Sequence, residues 1–176
     1  IRIVENELLI NRLPLQVTGL IQMPSDSMFF DLTLKTKDSS FDNFLALVPP
    51  GYGDYLKKLK TSGSAMVSGT VNGLYYEKNY PAFNLKIDIE NGNLKYVDLP
   101  EEIRNIRADI SIDKPQGDLD LTEVRIKNGH IEIKNNPVDL TLFLKNLVSD
   151  PYFDGAFVGK VNFDQLKDAL PLDSVN

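Results

Sequence analysis

The chain has no cysteine, a single histidine, no surplus of positive charge and no long apolar run. Without cysteine there is no disulfide scaffold, no thiolate zinc site and no cysteine nucleophile. A domain of 176 residues needs no such staples, so this absence leaves the compartment open. A net charge of −6 argues against a nucleic-acid partner, because phosphate-backbone binding draws its affinity from clustered Lys and Arg. The densest basic stretch, Lys57-Lys58-Leu59-Lys60, reads as a solvated face. The uncharged run Asn43–Gly53 is broken by Pro49, Pro50 and Gly51 and is too short to cross a bilayer as a helix. No signal peptide is recognisable and residue 1 is Ile. The expectation is a piece of a longer chain, with any targeting or anchoring segment elsewhere.

What is present is alternation. The 42% hydrophobic content is near the globular norm, and it is arranged with period two. Leu13, Leu15, Val17, Gly19, Ile21 and Met23 share one parity. So do Met28, Phe30, Leu32 and Leu34; Phe83, Leu85, Ile87 and Ile89; Ile106, Ala108, Ile110 and Ile112; Leu119 and Leu121; and Val138, Leu140, Leu142 and Leu144. Such runs predict strands with one oily and one wet face, the signature of antiparallel sheet. Three segments predict short amphipathic helices instead. Phe41–Val48 follows Ser39-Ser40 as caps and stops at Pro49; a second begins at Asp54; a third starts at Asn162, with Gln165 completing a capping box and Pro171 ending it.

Turn residues punctuate the strands at Pro24-Ser25-Asp26, Asn72-Gly73, Asn91-Gly92, Pro115-Gln116-Gly117, Asn128-Gly129 and Asn135-Asn136-Pro137. Two of these sit in matching frames: IENGNLKY (Ile89–Tyr96) and IKNGHIEI (Ile126–Ile133). Asn-Gly between alternating segments predicts a tight hairpin turn at each. A longer echo pairs FDLTL (Phe30–Leu34) with VDLTL (Val138–Leu142), each followed later by Gly-x-Val-Asn at Gly69 and Gly159. This suggests one β-unit used twice, over about 12–72 and 119–170, inside a single domain covering 1–176.

Reaction chemistry is not visible. His130 reads as a surface strand position, and no Gly-x-Ser-x-Gly elbow accompanies it. Ser62–Gly69 is Gly/Ser-rich but lacks the lysine of a phosphate loop, and reads as a strand with small residues where something packs close. Asp118, Asp120 and Glu123 read as the outer face of a strand rather than a calcium loop. Glu101-Glu102 are adjacent, a poor arrangement for acid/base work. Tyrosines gathered in Tyr52–Leu56 and Tyr75–Tyr80 suit loop and edge-strand packing. The expectation is no enzyme, no cofactor and no metal.

From Gly63 to Pro115 the pattern resembles the AsmA family of Gram-negative envelope proteins. Ile89, Asn91, Gly92, Leu94, Tyr96, Leu99 and Pro100 match one family element, and Ile103, Ile106 and Ile110 match the next. The runs Leu121–Asn146 and Asp154–Leu166 are similar to later ones, and the likeness spans roughly Asp31 to Leu170. The resemblance implies a periplasmic segment of a protein anchored in the inner membrane. Its repeated β-units would curl into a hydrophobic groove involved in phospholipid handling and outer-membrane biogenesis.

The expected fold is therefore mainly β (α+β): a curled antiparallel sheet forming a groove or half-barrel, with two or three short helices. Candidate groove liners are Leu85, Ile87, Ile110, Ile112, Leu140 and Leu142, which read equally well as plain core. Expected partners are a phospholipid or other acyl-chain ligand and neighbouring repeats of the full chain. Two other readings stay open: a structural or protein-interaction β module with a closed core and no ligand, and a hydrolase of unrecognised type.

Overall fold

Asn91-Gly92 and Asn128-Gly129 lie in the middle of long strands. The computed structural model describes residues 1–4, 6–10, 12–36, 39–45, 58–97, 101–160 and 162. Among these, one antiparallel sheet carries almost everything. Its elements are β1 (Arg2–Ile3), β2 (Leu8–Ile10), β3 (Leu13–Gln22), β4 (Met28–Lys35), β5 (Ser39–Ser40), α1 (Phe41–Leu45), β6 (Leu59–Tyr75), β7 (Ala82–Tyr96), β8 (Ile103–Lys114), a 3-10 turn (Leu119–Leu121), β9 (Glu123–Ile133), β10 (Asn136–Lys145) and β11 (Tyr152–Gly159). The strand order is β1-β3-β4-β6-β7-β8-β9-β10-β11, with β2 paired to β3 and β5 to β6. The sheet is mainly a meander and is not closed into a barrel.

The expected hairpins at Asn91-Gly92 and Asn128-Gly129 are β-bulges instead. Asn91 and Asn128 both take φ of 51°, and Asn105 on β8 takes 52°. At each, the bulged strand spends two residues against one on its neighbours: the register slips between Ile89 and Gly92 on β7, between Arg104 and Arg107 on β8, and between Lys127 and His130 on β9, opposite Asp109 and Arg107. Asparagine tolerates this left-handed conformation better than other side-chain-bearing residues. Each extra residue switches the parity of its strand. On β7, Ile89 and then Gly92 and Leu94 keep facing the same way; on β9, Ile126 and then Gly129 and Ile131 do so. The three bulges thus keep the apolar residues together on strands too long for unbroken alternation, and they add twist.

Real reversals fall elsewhere. Pro24–Ser27 joins β3 to β4, with Ser27 N–H donating to Pro24 O at 3.1 Å. Tyr76–Pro81 joins β6 to β7, and Lys134-Asn135 joins β9 to β10. Asn72-Gly73 lies within β6 and is not a turn. Leu119 and Leu121 are also not in a strand. Asp118 accepts the Asp120 N–H at 2.8 Å and caps a 3-10 turn, a local bond that competes with strand pairing.

Of the predicted helices, α1 covers Phe41–Leu45, and Val48 lies outside the described residues. In the second, expected within GDYLKKLK (Gly53–Lys60), Leu59 and Lys60 belong to β6, while Asp54–Lys57 lie outside the described residues. The third lies outside them except for Asn162. The two echoed segments are both strands, β4 and β10. They meet their Gly-bearing partners in different registers: Gly69 stands opposite Leu34, and Gly159 opposite Val138.

Among the described residues, the buried apolar ones are Leu13, Leu15 and Val17 on β3 with Ala65 and Val67 on β6. They sit where β2, β5 and α1 join the sheet. Here the edges are finished by side chains. The Asn6 amide accepts the Val17 N–H at 3.1 Å and donates to Val17 O, standing in for a strand partner. Thr36 Oγ1 accepts the Val67 N–H at 2.8 Å.

Candidate functional site: an apolar sheet face

Directly opposed residues in an antiparallel pair point to the same side, so the register assigns each face row by row. One row reads Val17, Leu34, Gly69, Leu85, Ile112, Val124, Leu144 and Phe153, from β3 to β11. The next reads Val67, Ile87, Ile110, Ile126, Leu142 and Gly155. Leu140 belongs to a third row with Gly129 and Phe157. All six candidate liners, on β7, β8 and β10, therefore share one face. At roughly 4.8 Å per strand, the first row extends about 34 Å.

Each of the six is half-buried. Among the described residues, apart from strand neighbours, only α1 packs appreciably on the sheet, against β6. Among the described residues, Leu85, Ile87, Ile110, Ile112, Leu140 and Leu142 are each flanked on this face by their cross-strand partners. Glycines set the relief of this surface. Leu85 Cδ2 lies 2.7 Å from where a Cβ on Gly69 would stand. The two glycines of Ser62–Gly69 are there because the neighbouring strand occupies the space a Cβ would take, mainly with its backbone at Gly63 and with backbone and the Leu85 side chain at Gly69.

One end of this face carries a buried cation. Lys114, opposite Phe83, is 2% exposed. Its ammonium donates to the carbonyls of Pro115 (2.8 Å), Gly117 (3.1 Å) and Tyr80 (3.2 Å) and lies 5.9 and 5.8 Å from the ring centroids of Tyr80 and Phe83. Burial pushes its pKa down, with Asp118 opposing. Tyr75 packs against Tyr80 at 5.5 Å between centroids, so the rim is aromatic. Alternation alone put Lys114 in the oily parity; its three acceptors come from loops the sequence does not pair.

The opposite face is polar. Arg107, His130 and Asp139 stand in line across β8, β9 and β10. His130 Nδ1 lies 2.7 Å from Asp139 Oδ1, and Nε2 lies 3.5 Å from Glu132 Oε1. A hydrogen bond from Asn105 first, and His130 second, hold the Glu132 carboxyl below its ordinary range. Asn128 donates to Asp109 Oδ2 at 2.7 Å. Arg107, Asp109, Asn128, His130, Asp139 and Thr141 line a shallow depression of about 590 Å³. No serine or threonine hydroxyl is hydrogen-bonded to His130 among the described residues. A second cluster stacks Arg125 over Phe143 at 4.6 Å and Lys145 over Tyr152 at 4.9 Å. Sequence reasoning found His130 but not its neighbours, because strand registry is a long-range property.

Asp120 accepts from the N–H groups of Val148 (2.9 Å) and Ser149 (3.1 Å) and from the Ser149 hydroxyl. It therefore fastens the β10–β11 turn. Comparison with known proteins adds no relative: no family model matches the sequence, and no curated protein or solved structure matches it significantly.

Proposed function

We propose that this chain is a lipid-handling segment of an AsmA-like envelope protein, and that its apolar sheet face is the surface that shields acyl chains. The observation that carries this reading is the continuous row from Val17 to Phe153 on an open sheet. An apolar surface of this extent is a binding surface in soluble proteins. Its chemistry suits hydrocarbon: Leu85, Ile87, Ile110, Ile112, Leu140 and Leu142 offer branched aliphatic contacts and no hydrogen-bonding group. Each methylene transferred from water contributes about 0.8 kcal/mol, so a long chain needs no specific polar contact to be held. Head groups would remain in water at the rim, beside Tyr75 and Tyr80. The action is passive shielding, without a catalytic step or cofactor. A periplasmic location and a part in outer-membrane biogenesis belong to the same proposal and rest on the resemblance of Gly63–Pro115.

The test is direct. Purified protein is extracted with organic solvent and the extract read by mass spectrometry, and the delipidated protein is titrated with a fluorescent fatty acid. Co-purified phospholipid and saturable fluorescence are expected. Protein that yields no lipid and leaves the probe in water would favour the ligand-free structural module instead.

A further inference from the structure

Among the described residues, the last strand of the sheet, β11, is an unguarded edge. Among the described residues it pairs only with β10, and all eight of its residues are exposed. Phe153, Phe157 and Val158 are 60%, 65% and 71% exposed. Half of its amide groups point away from β10 and meet no strand among the described residues. Edge strands of soluble proteins are ordinarily protected by lysine, proline, a bulge or shortness. Tyr152–Gly159 has no lysine, no proline and no register slip against β10, and its one charge is Asp154. The other margin of the sheet is blunted: β1 has two residues and β2 three. The two margins do not match, so head-to-tail stacking of copies has no acceptor of equal length.

We propose that β11 is a homodimerisation edge, pairing antiparallel with β11 of a second copy about a two-fold axis at Gly155. Keeping the apolar faces on one side requires this parity. The register then sets Phe153 opposite Phe157 of the second copy, twice, and Gly155 opposite Gly155. Asp154 faces Ala156, so the two carboxylates do not oppose each other. Aromatic cross-strand pairs are among the stabilising ones, and the symmetry is the commonest for soluble oligomers. The row ending at Phe153 continues into its copy. This assembly does not depend on lipid, and its test contains none. A single seam of this length is a small interface, so the dimer is weak and concentration-dependent.

Sedimentation velocity of the wild-type chain at about 100 µM, suited to a weak interface, is expected to show dimer that dissociates on dilution. Hydrogen exchange at 152–159 should slow as concentration rises. Two double variants test the register: Phe153→Lys with Phe157→Lys, and Phe153→Glu with Phe157→Glu. Each places like charges in opposition and should weaken association at least tenfold, while an equimolar mixture should restore it. The altered side chains are exposed, and circular dichroism checks that the sheet persists. A wild-type monomer with concentration-independent exchange at 152–159 overturns the proposal, since the edge would then be free or covered from within its own chain. So would double variants that still self-associate, or a mixture that does not.

Discussion

Leu140 of β10 lies across Gly129 of β9. A Cβ built on Gly129 would stand 2.7 Å from Leu140 Cγ and 2.8 Å from its carbonyl oxygen. The side chain could swing away, but the carbonyl belongs to the sheet and cannot. Gly129→Ala should therefore destabilise the chain by about 1–3 kcal/mol, the usual cost of overpacking. Gly155→Ala, whose Cβ would meet Phe153 Cζ at 3.2 Å and Thr141 O at 3.3 Å, should cost less. Urea midpoints of the two variants settle the order; equal midpoints would mean that β9 and β10 are not in this register.

The bulge at Asn128 shows where sequence reading stops. A two-residue hairpin and a one-residue bulge make the same prediction for facing. Either way Ile89 and Leu94 point to one side, as do Ile126 and Ile131. Parity could not separate them, and only the pairing of Gly92 with Ile106, and of Gly129 with Leu140, does. By contrast, the apolar face itself was legible, because Phe83–Ile89, Ile106–Ile112 and Val138–Leu144 each carry enough alternation to fix their own face. The six candidate liners share a surface for that reason. Leu119 and Leu121 were misread since two alternating residues do not outweigh an Asp118 cap. His130 was seen only as a strand residue, because Asp139 reaches it through registry between β9 and β10, which no local pattern encodes.

Lys114 predicts an alkaline dependence. Its pKa in the folded protein lies below 10.5, mainly through burial. The unfolded chain therefore binds more protons between those two values, and stability should rise with pH across that window. Lys114→Met keeps the volume and should flatten the rise. It should change stability near neutral pH by only about 1 kcal/mol, because removing a buried charge offsets lost hydrogen bonds. Tyr80 O and Gly117 O keep partners in each other's N–H groups, at 3.0 and 2.9 Å, so only Pro115 O is orphaned. Urea midpoints of both proteins across alkaline pH are the measurement, and parallel curves would exclude Lys114 as the source.

Asp120 predicts the acid side. The Ser149 hydroxyl, followed by the Val148 and Ser149 N–H groups, holds its carboxyl below 3.8. A carboxylate depressed on folding stabilises the chain above its unfolded pKa, and this contribution is lost as pH falls through the folded value. An NMR titration should place the Asp120 carboxyl below 3.8 in wild type and higher in Ser149→Ala. Asp120→Asn should remove this acid-dependent contribution and speed hydrogen exchange at Val148 and Ser149. A wild-type carboxyl titrating at the ordinary value would show that the turn is not held this way.

Ile110 and Ser111 are consecutive residues on opposite faces, and together they test the shielding surface. Ile110 lies between Ile87 and Ile126, in the middle of the apolar row. Ser111 lies between Lys86 and Arg125 on the polar side. Ile110→Asp puts a carboxylate where hydrocarbon is to lie, and burying it unpaired is unfavourable by several kcal/mol. Fatty-acid affinity should fall at least tenfold, equivalent to about 1.4 kcal/mol. Ser111→Asp sets the same group between two cations and should leave affinity unchanged. Ile110 is only half-buried and stands outside the packed cluster of Leu13, Leu15, Val17, Ala65 and Val67. The substitution should therefore spare the fold, which circular dichroism can check in the same samples. Equal binding by both variants would mean that the probe does not sit on this face, and the lipid proposal would lose the surface on which it rests.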